Sequence, residues 1–149
     1  MCIQAARAPL FLTGYSVETS RADICYKEYL GPDWIQEWEG ASVIIGNHIS
    51  CLDPMLGVVE YFPSVLTLPF VGRAPIIGTM ADSMGCIYVD RLGAVSRESK
   101  KETFAKIKTH VSDFASGAKS NPLLIFPEGS TTNGKYLLQF KRGAFACLP

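Results

Sequence analysis

The 149-residue chain is 48% hydrophobic and 19% charged, and its fourteen Lys+Arg balance fourteen Asp+Glu, so the formal net charge is zero. That balance excludes a global field steering the molecule toward nucleic acid or an acidic surface, and any anion binding has to be local. A chain of this length suits one domain, residues 1–149, burying roughly two-thirds of its unfolded surface without disulfide or metal staples.

Five cysteines (Cys2, Cys25, Cys51, Cys86 and Cys147) are an odd, widely spaced set with no C-x-x-C pair. They predict reduced thiols facing a cytosolic compartment and no metal site. The longest apolar stretches, residues 8–12 and 42–46, fall far short of the roughly 18 residues a spanning helix needs. Arg7 and Pro9 also interrupt the first apolar run, so neither a transmembrane segment nor a signal peptide is expected in the sequence as it stands.

In chain order, residues 12–17 predict a short strand and residues 37–40 a polar turn. Residues 42–45 are a short apolar run ending in Gly46-Asn47, which suits a buried strand better than one turn of helix. A helix is expected to start at Pro54 with Asp53 as its N-cap, because proline is favoured in the first helical turn and Met55, Leu56, Val58 and Val59 supply an apolar face. Residues 65–68 predict a strand stopped by Pro69, residues 75–83 a short helix, and residues 86–89 a strand closed by Asp90-Arg91. From Ser96 to Ala115, Phe104, Ile107, Val111 and Phe114 recur at steps of three and four, the spacing of an amphipathic helix, with Gly117 beyond its end. Residues 123–126 are a further apolar run, broken by Pro127-Glu128-Gly129. Strands alternating with helices predict an α/β fold with a mostly parallel central sheet flanked by helices.

Ligands of such sheets bind at the carboxyl ends of the strands. Three polar clusters fall there: Asn47-His48 to Asp53, Asp90-Arg91, and Glu128-Gly129-Ser130-Thr131. The imidazole of His48 is suited to taking a proton near neutral pH, and a carboxylate on its other nitrogen would fix its tautomer. Asp53 reaches it if residues 49–52 fold as a turn, yet the same Asp could serve only as a helix cap. A carboxylate has acceptor sites enough for both. Cys51 beside His48 admits a thiol-hydrolase reading or a simple packing role. Arg91 suits bidentate phosphate binding or a surface ion pair with Asp90 or Glu98. Gly129 with the hydroxyls after it suits a backbone anion nest, and Asn133-Gly134 a hairpin turn. Glu128 would repel a phosphate, so bonding a hydroxyl or orienting Arg91 is its expected part.

Asn47-His48 with Asp53, Gly85-Cys86-Ile87-Tyr88-Val89-Asp90-Arg91, and Phe126-Pro127-Glu128-Gly129-Ser130-Thr131, in that order, resemble the first three sequence blocks of the glycerolipid acyltransferases, over roughly residues 42–147. The resemblance implies the fold of that family and transfer of an acyl chain from acyl-CoA, as co-substrate, to the free hydroxyl of a lysophospholipid. His48 would be the general base and Asp53 its orienter, with direct attack on the thioester. Arg91, Glu128 and Gly129 would hold the acceptor's phosphate and glycerol, with Ser130 and Thr131 close by. Neither metal nor cofactor is implied, nor nucleic acid or an obligatory protein partner. The implied setting is a membrane surface, that of the endoplasmic reticulum with a cytosol-facing site. Ser130 stands where the family has Thr. The family's fourth block and the membrane-embedding helices before the first are absent, so the sequence reads as a fragment truncated at both ends. "FPEGSTTNGKYLLQFKRGAF" is most similar to the branch that reacylates lysophosphatidylcholine or lysophosphatidylethanolamine, with lysophosphatidic acid as another acceptor. The alternative is an inactive lipid- or phosphate-binding remnant of such an enzyme.

Overall fold

The computed structural model describes residues 10–12, 14–20, 22–35, 41–89 and 96–145. In chain order it contains α1 (Lys27–Leu30), β1 (Val43–Ile45), α2 (Asp53–Tyr61), β2 (Ser64–Thr67), a 3₁₀ turn (Val71–Arg73), α3 (Pro75–Ser83), β3 (Ile87–Tyr88), α4 (Arg97–Ala115), β4 (Leu123–Ile125) and a last 3₁₀ turn (Arg142–Ala144). The strands form one parallel sheet in the order β1-β4-β2-β3. The α/β class, the parallel sheet and the flanking helices are those expected.

β4 lies inside the sheet, between β1 and β2, and all three of its residues are buried. Leu-Leu-Ile without alternation is what a strand covered on both faces requires. Fully burying each such side chain contributes about 1.5–3 kcal/mol, so β4 is the sheet's strongest anchor. On one face Ile107 and Val111 of α4 pack with Ile87, Leu123 and Ile125; on the other Val58 of α2 packs with Met84. The predicted spacing of α4 is therefore real at its centre, whereas Phe104 is left partly exposed at the edge. Ser96 caps α4 by accepting from the Ser99 N–H, a good use of a hydroxyl that competes poorly inside helices.

Two local expectations are corrected. Residues 10–12 are helical and residues 14–17 form no strand, because Gly14 at φ 78° closes a turn in which the Tyr15 N–H donates to the Leu10 carbonyl. Among the described residues no strand runs alongside to satisfy an extended segment there. At residues 133–134, the side chains of Thr132 and Asn133 accept from the N–H groups of Gly134 and Lys135, which makes a turn held by side chains with no flanking strands. The turn expected at residues 37–40 lies outside the described residues.

Candidate active site

The parallel register of β1 and β4 builds the site. Val43, Ile44 and Ile45 pair with Leu123, Leu124 and Ile125, and the same offset carries past the strand ends to set His48 level with Glu128. The His48 N–H donates to Glu128 Oε1 at 2.8 Å, and its carbonyl accepts from the Thr132 N–H at 2.8 Å. Residue 48 is thereby clamped on both sides of its main chain.

Its side chain is fixed as firmly. Nδ1 lies 2.9 Å from Asp53 Oδ2, and the Phe126 ring stacks on the imidazole with centroids 4.4 Å apart and planes 19° off parallel. An ionised carboxylate can only accept, so Nδ1 carries the proton and Nε2 presents its lone pair. Nε2 has no partner among the described residues.

Asp53 is not the N-cap expected of it. Leu52 holds that position, and Asp53 begins the helix while its Oδ2 turns back to accept from the N–H groups of Ile49 and Ser50, at 2.7 and 2.9 Å, as well as from the ring. The tight turn of residues 49–52 brings these donors to one oxygen, and three convergent donors compete better than an exposed helix end. An acid at the start of α2 also sits favourably at the positive end of the helix dipole.

Glu128 is buried, and its two oxygens are taken by main-chain donors, His48 N–H on Oε1 and Leu138 N–H on Oε2. It ties the loop after β1 to the segment returning toward the last 3₁₀ turn. Gly129, at φ 71°, follows it in a left-handed conformation that favours glycine, with the flexible end of the Lys141 side chain lying across it.

His48, Gly129, Ser130 and Thr131 form the polar end of a cavity of about 690 Å³. Apart from Thr67 its remaining walls are apolar, from α2, β2, the first 3₁₀ turn, α3 and the residues just past β2 and α3, with Met55, Val58, Leu68 and Met84 among them. That size lies within the range of ligand sites, roughly 300–1,000 Å³. Cys51 is exposed at the same wall but has no hydrogen bond to His48, whose Nδ1 is on Asp53. Cys86, deeper in the wall, accepts from the Val65 N–H, and burial pushes its thiol pKa up. Neither sulfur has the electropositive setting of a nucleophilic thiolate.

Of the residues singled out from the sequence, His48, Asp53, Glu128, Gly129, Ser130 and Thr131 are brought together, and Arg91 lies outside the described residues. Phe126, Thr132 and Lys141 are the members that sequence reading left unassigned. All three stood inside the quoted stretch of residues 126–145, but nothing there marked Thr132, which acts through its main chain. Among the described residues no cluster of His, Cys, Asp or Glu is arranged to hold a metal ion, and no helix is long and apolar enough to cross a membrane.

A family model described as Acyltransferase matches residues 26–148. The lysophospholipid acyltransferase LPEAT1 of Arabidopsis thaliana is 38% identical over 114 residues, 74% of this chain and 27% of that protein. The LPEAT2 protein of the same plant is 36% identical over 107 residues, and the mouse lysophosphatidylcholine acyltransferase 2 is 30% identical over 107, in both cases 72% of this chain and 19% of the relative. The chain thus spans between a fifth and about a quarter of the length of these relatives. No solved structure matches it with significance.

Proposed function

The chain belongs to the acyltransferase family, and we propose that its site moves a fatty acyl group from acyl-CoA to the free hydroxyl of a lysophospholipid. The observation that carries this reading is a histidine whose Nδ1 is held by Asp53 and whose Nε2, without a partner among the described residues, lies at the polar end of a large apolar cavity. The names of its relatives supply the acceptor class, lysophospholipids, and lysophosphatidylcholine within it; lysophosphatidylethanolamine and lysophosphatidic acid are further candidates that the sequence resemblance implies.

The geometry supports the following mechanism. His48 Nε2 takes the proton of the acceptor hydroxyl as its oxygen attacks the thioester carbonyl, and Asp53 stabilises the imidazolium that forms. Collapse of the tetrahedral intermediate breaks the carbon–sulfur bond, and the imidazolium returns the proton to the leaving CoA sulfur. No acyl-enzyme is needed. The apolar walls take an acyl chain, and past Gly129, whose N–H is held by the Phe126 carbonyl, Ser130 and Thr131 offer hydroxyl and N–H groups to the acceptor's glycerol and phosphate. Arg91 adds charge for that phosphate. Glu128 contributes by position, through the main chain of His48. The site works at a membrane surface, that of the endoplasmic reticulum, facing the cytosol.

The test is to supply acyl-CoA with and without each lysophospholipid and to follow both free CoA thiol and the diacyl product. Acceptor-dependent release of CoA with matching product is the expected result. A protein that binds the lipid yet releases no CoA with any acceptor would be a binding remnant instead.

A further inference from the structure

Across residues 61–81 the one charged side chain is Arg73. The same stretch leaves large apolar side chains in water: Phe70 is 59% exposed, Ile76 75% and Ile77 45%. Phe70 and Ile77 also line the cavity that His48 closes at its polar end, so this face is the outer rim of the cavity's apolar part.

The rim is rigid. The first 3₁₀ turn and α3 meet so closely that a Cβ on Gly78 would strike the Gly72 carbonyl, and the Gly78 N–H donates to the Ala74 carbonyl. The Tyr88 ring covers Gly72 from the other side, while its hydroxyl donates to Asp82 on α3 at 2.6 Å. Turn, helix and strand β3 thus form one bracket that holds Phe70, Ile76 and Ile77 outward.

Resting on the acyl-transfer reading, we infer that this bracket is the membrane-docking face: Phe70, Ile76 and Ile77 insert among lipid chains at the interface while Arg73 meets lipid phosphates. The occupant is a lipid surface for two reasons. The face has apolar bulk with a lone positive charge, which complements a layer of phosphates above acyl chains. It is also continuous with the cavity, so a lysophospholipid or acyl chain passes from the bilayer into the apolar walls without crossing water.

The test is partitioning onto vesicles of phosphatidylcholine, alone or mixed with phosphatidylserine, for the protein and for Ile76→Asp, Ile76→Leu and Arg73→Gln. Ile76 does not line the cavity, and an acid in the first turn of α3 is favourable for the helix, so Ile76→Asp keeps the fold. The account predicts that Ile76→Asp weakens partitioning roughly tenfold or more, since one large apolar side chain no longer leaves water. Ile76→Leu retains it, and Arg73→Gln loses only the added affinity for anionic vesicles. Ile76→Asp should still acylate an acceptor dispersed as monomers while losing turnover on vesicles. Unchanged partitioning of Ile76→Asp would overturn the inference, as would a parent protein that binds neither vesicle, which would hand the face to a protein partner or another segment of chain. Absence of transfer to monomeric acceptor in the parent would sink the acyl-transfer reading alone, with the partitioning result still standing.

Discussion

The main-chain N–H of His48 donates to the Glu128 carboxylate at 2.8 Å across a separation of 80 residues, the same offset that pairs β1 with β4. Sheet register and site geometry are therefore one constraint. A slip of β1 against β4 would move His48 away from the group that fixes it.

Glu128→Gln tests that constraint. An amide has one acceptor oxygen, so either the His48 or the Leu138 N–H is left facing an NH₂ group. Loss of about 1–3 kcal/mol of stability is expected from the unpaired buried donor. A fall in kcat with little change in KM should accompany it, because His48 loses its setting while the cavity keeps its walls. Thermal melting and steady-state kinetics read the two effects separately.

Asp53→Asn separates charge from geometry. Asparagine keeps an oxygen for the Ile49 and Ser50 N–H groups but removes the charge that, in the proposed mechanism, stabilises the imidazolium. Transfer should fall by roughly 10²–10⁴, the usual worth of acid–base assistance, with the fold intact by circular dichroism. Turnover equal to the parent's would reduce Asp53 to a structural clamp.

The bracket at the cavity rim depends on two glycines in contact. Gly78→Ala places a methyl group against the Gly72 carbonyl, main chain that cannot rotate away. A destabilisation of about 1–3 kcal/mol, as for other overpacked sites, should appear as a lower denaturant midpoint.

At the far end of the sheet, His110 is buried, with its Nε2 donating to the Asn121 carbonyl at 3.0 Å and its Nδ1 accepting from Lys119 at 3.3 Å. Burial first, then Lys119, lowers its pKa below the ordinary 6.5, with the Asn121 bond and Asp113 opposing. The folded chain therefore holds it neutral while the unfolded chain takes up a proton sooner. Its contribution to stability is complete above the unfolded value near 6.5 and is lost as pH falls through that window toward the folded value. Melting temperature should decline from pH 7.5 to 5, and His110→Gln should flatten the decline.

The parallel α/β sheet could be read from the sequence because its signals are local: the three-and-four spacing of α4, Pro75 opening α3, and the unbroken Leu-Leu-Ile of β4. The meeting of His48 with Asp53 was legible for the same reason, five residues being a single turn. The direction of Asp53 was not. An acid before Pro54 has the pattern of a cap, and only the fold of residues 49–52 decides that its oxygen faces backward. The role of Glu128 was hidden more deeply, because its partners are N–H groups, which carry no residue identity. His110 escaped notice since a polar residue on an amphipathic helix counts as solvent-facing until Asn121 and Lys119 are seen to satisfy it. The exposed turn at residues 14–17 misled in the opposite sense, apolar residues without a neighbouring strand to pair with.

The central claim, that His48 is the base for acyl transfer, is tested most directly by His48→Gln, followed by the appearance of labelled diacyl product from acyl-CoA and lysophosphatidylcholine. Product formation should drop by roughly 10²–10⁴ with an unchanged melting temperature, since glutamine preserves polarity and removes the base. Turnover within a few-fold of the parent protein would contradict the account and leave the pair with Asp53 a purely structural feature of the loop.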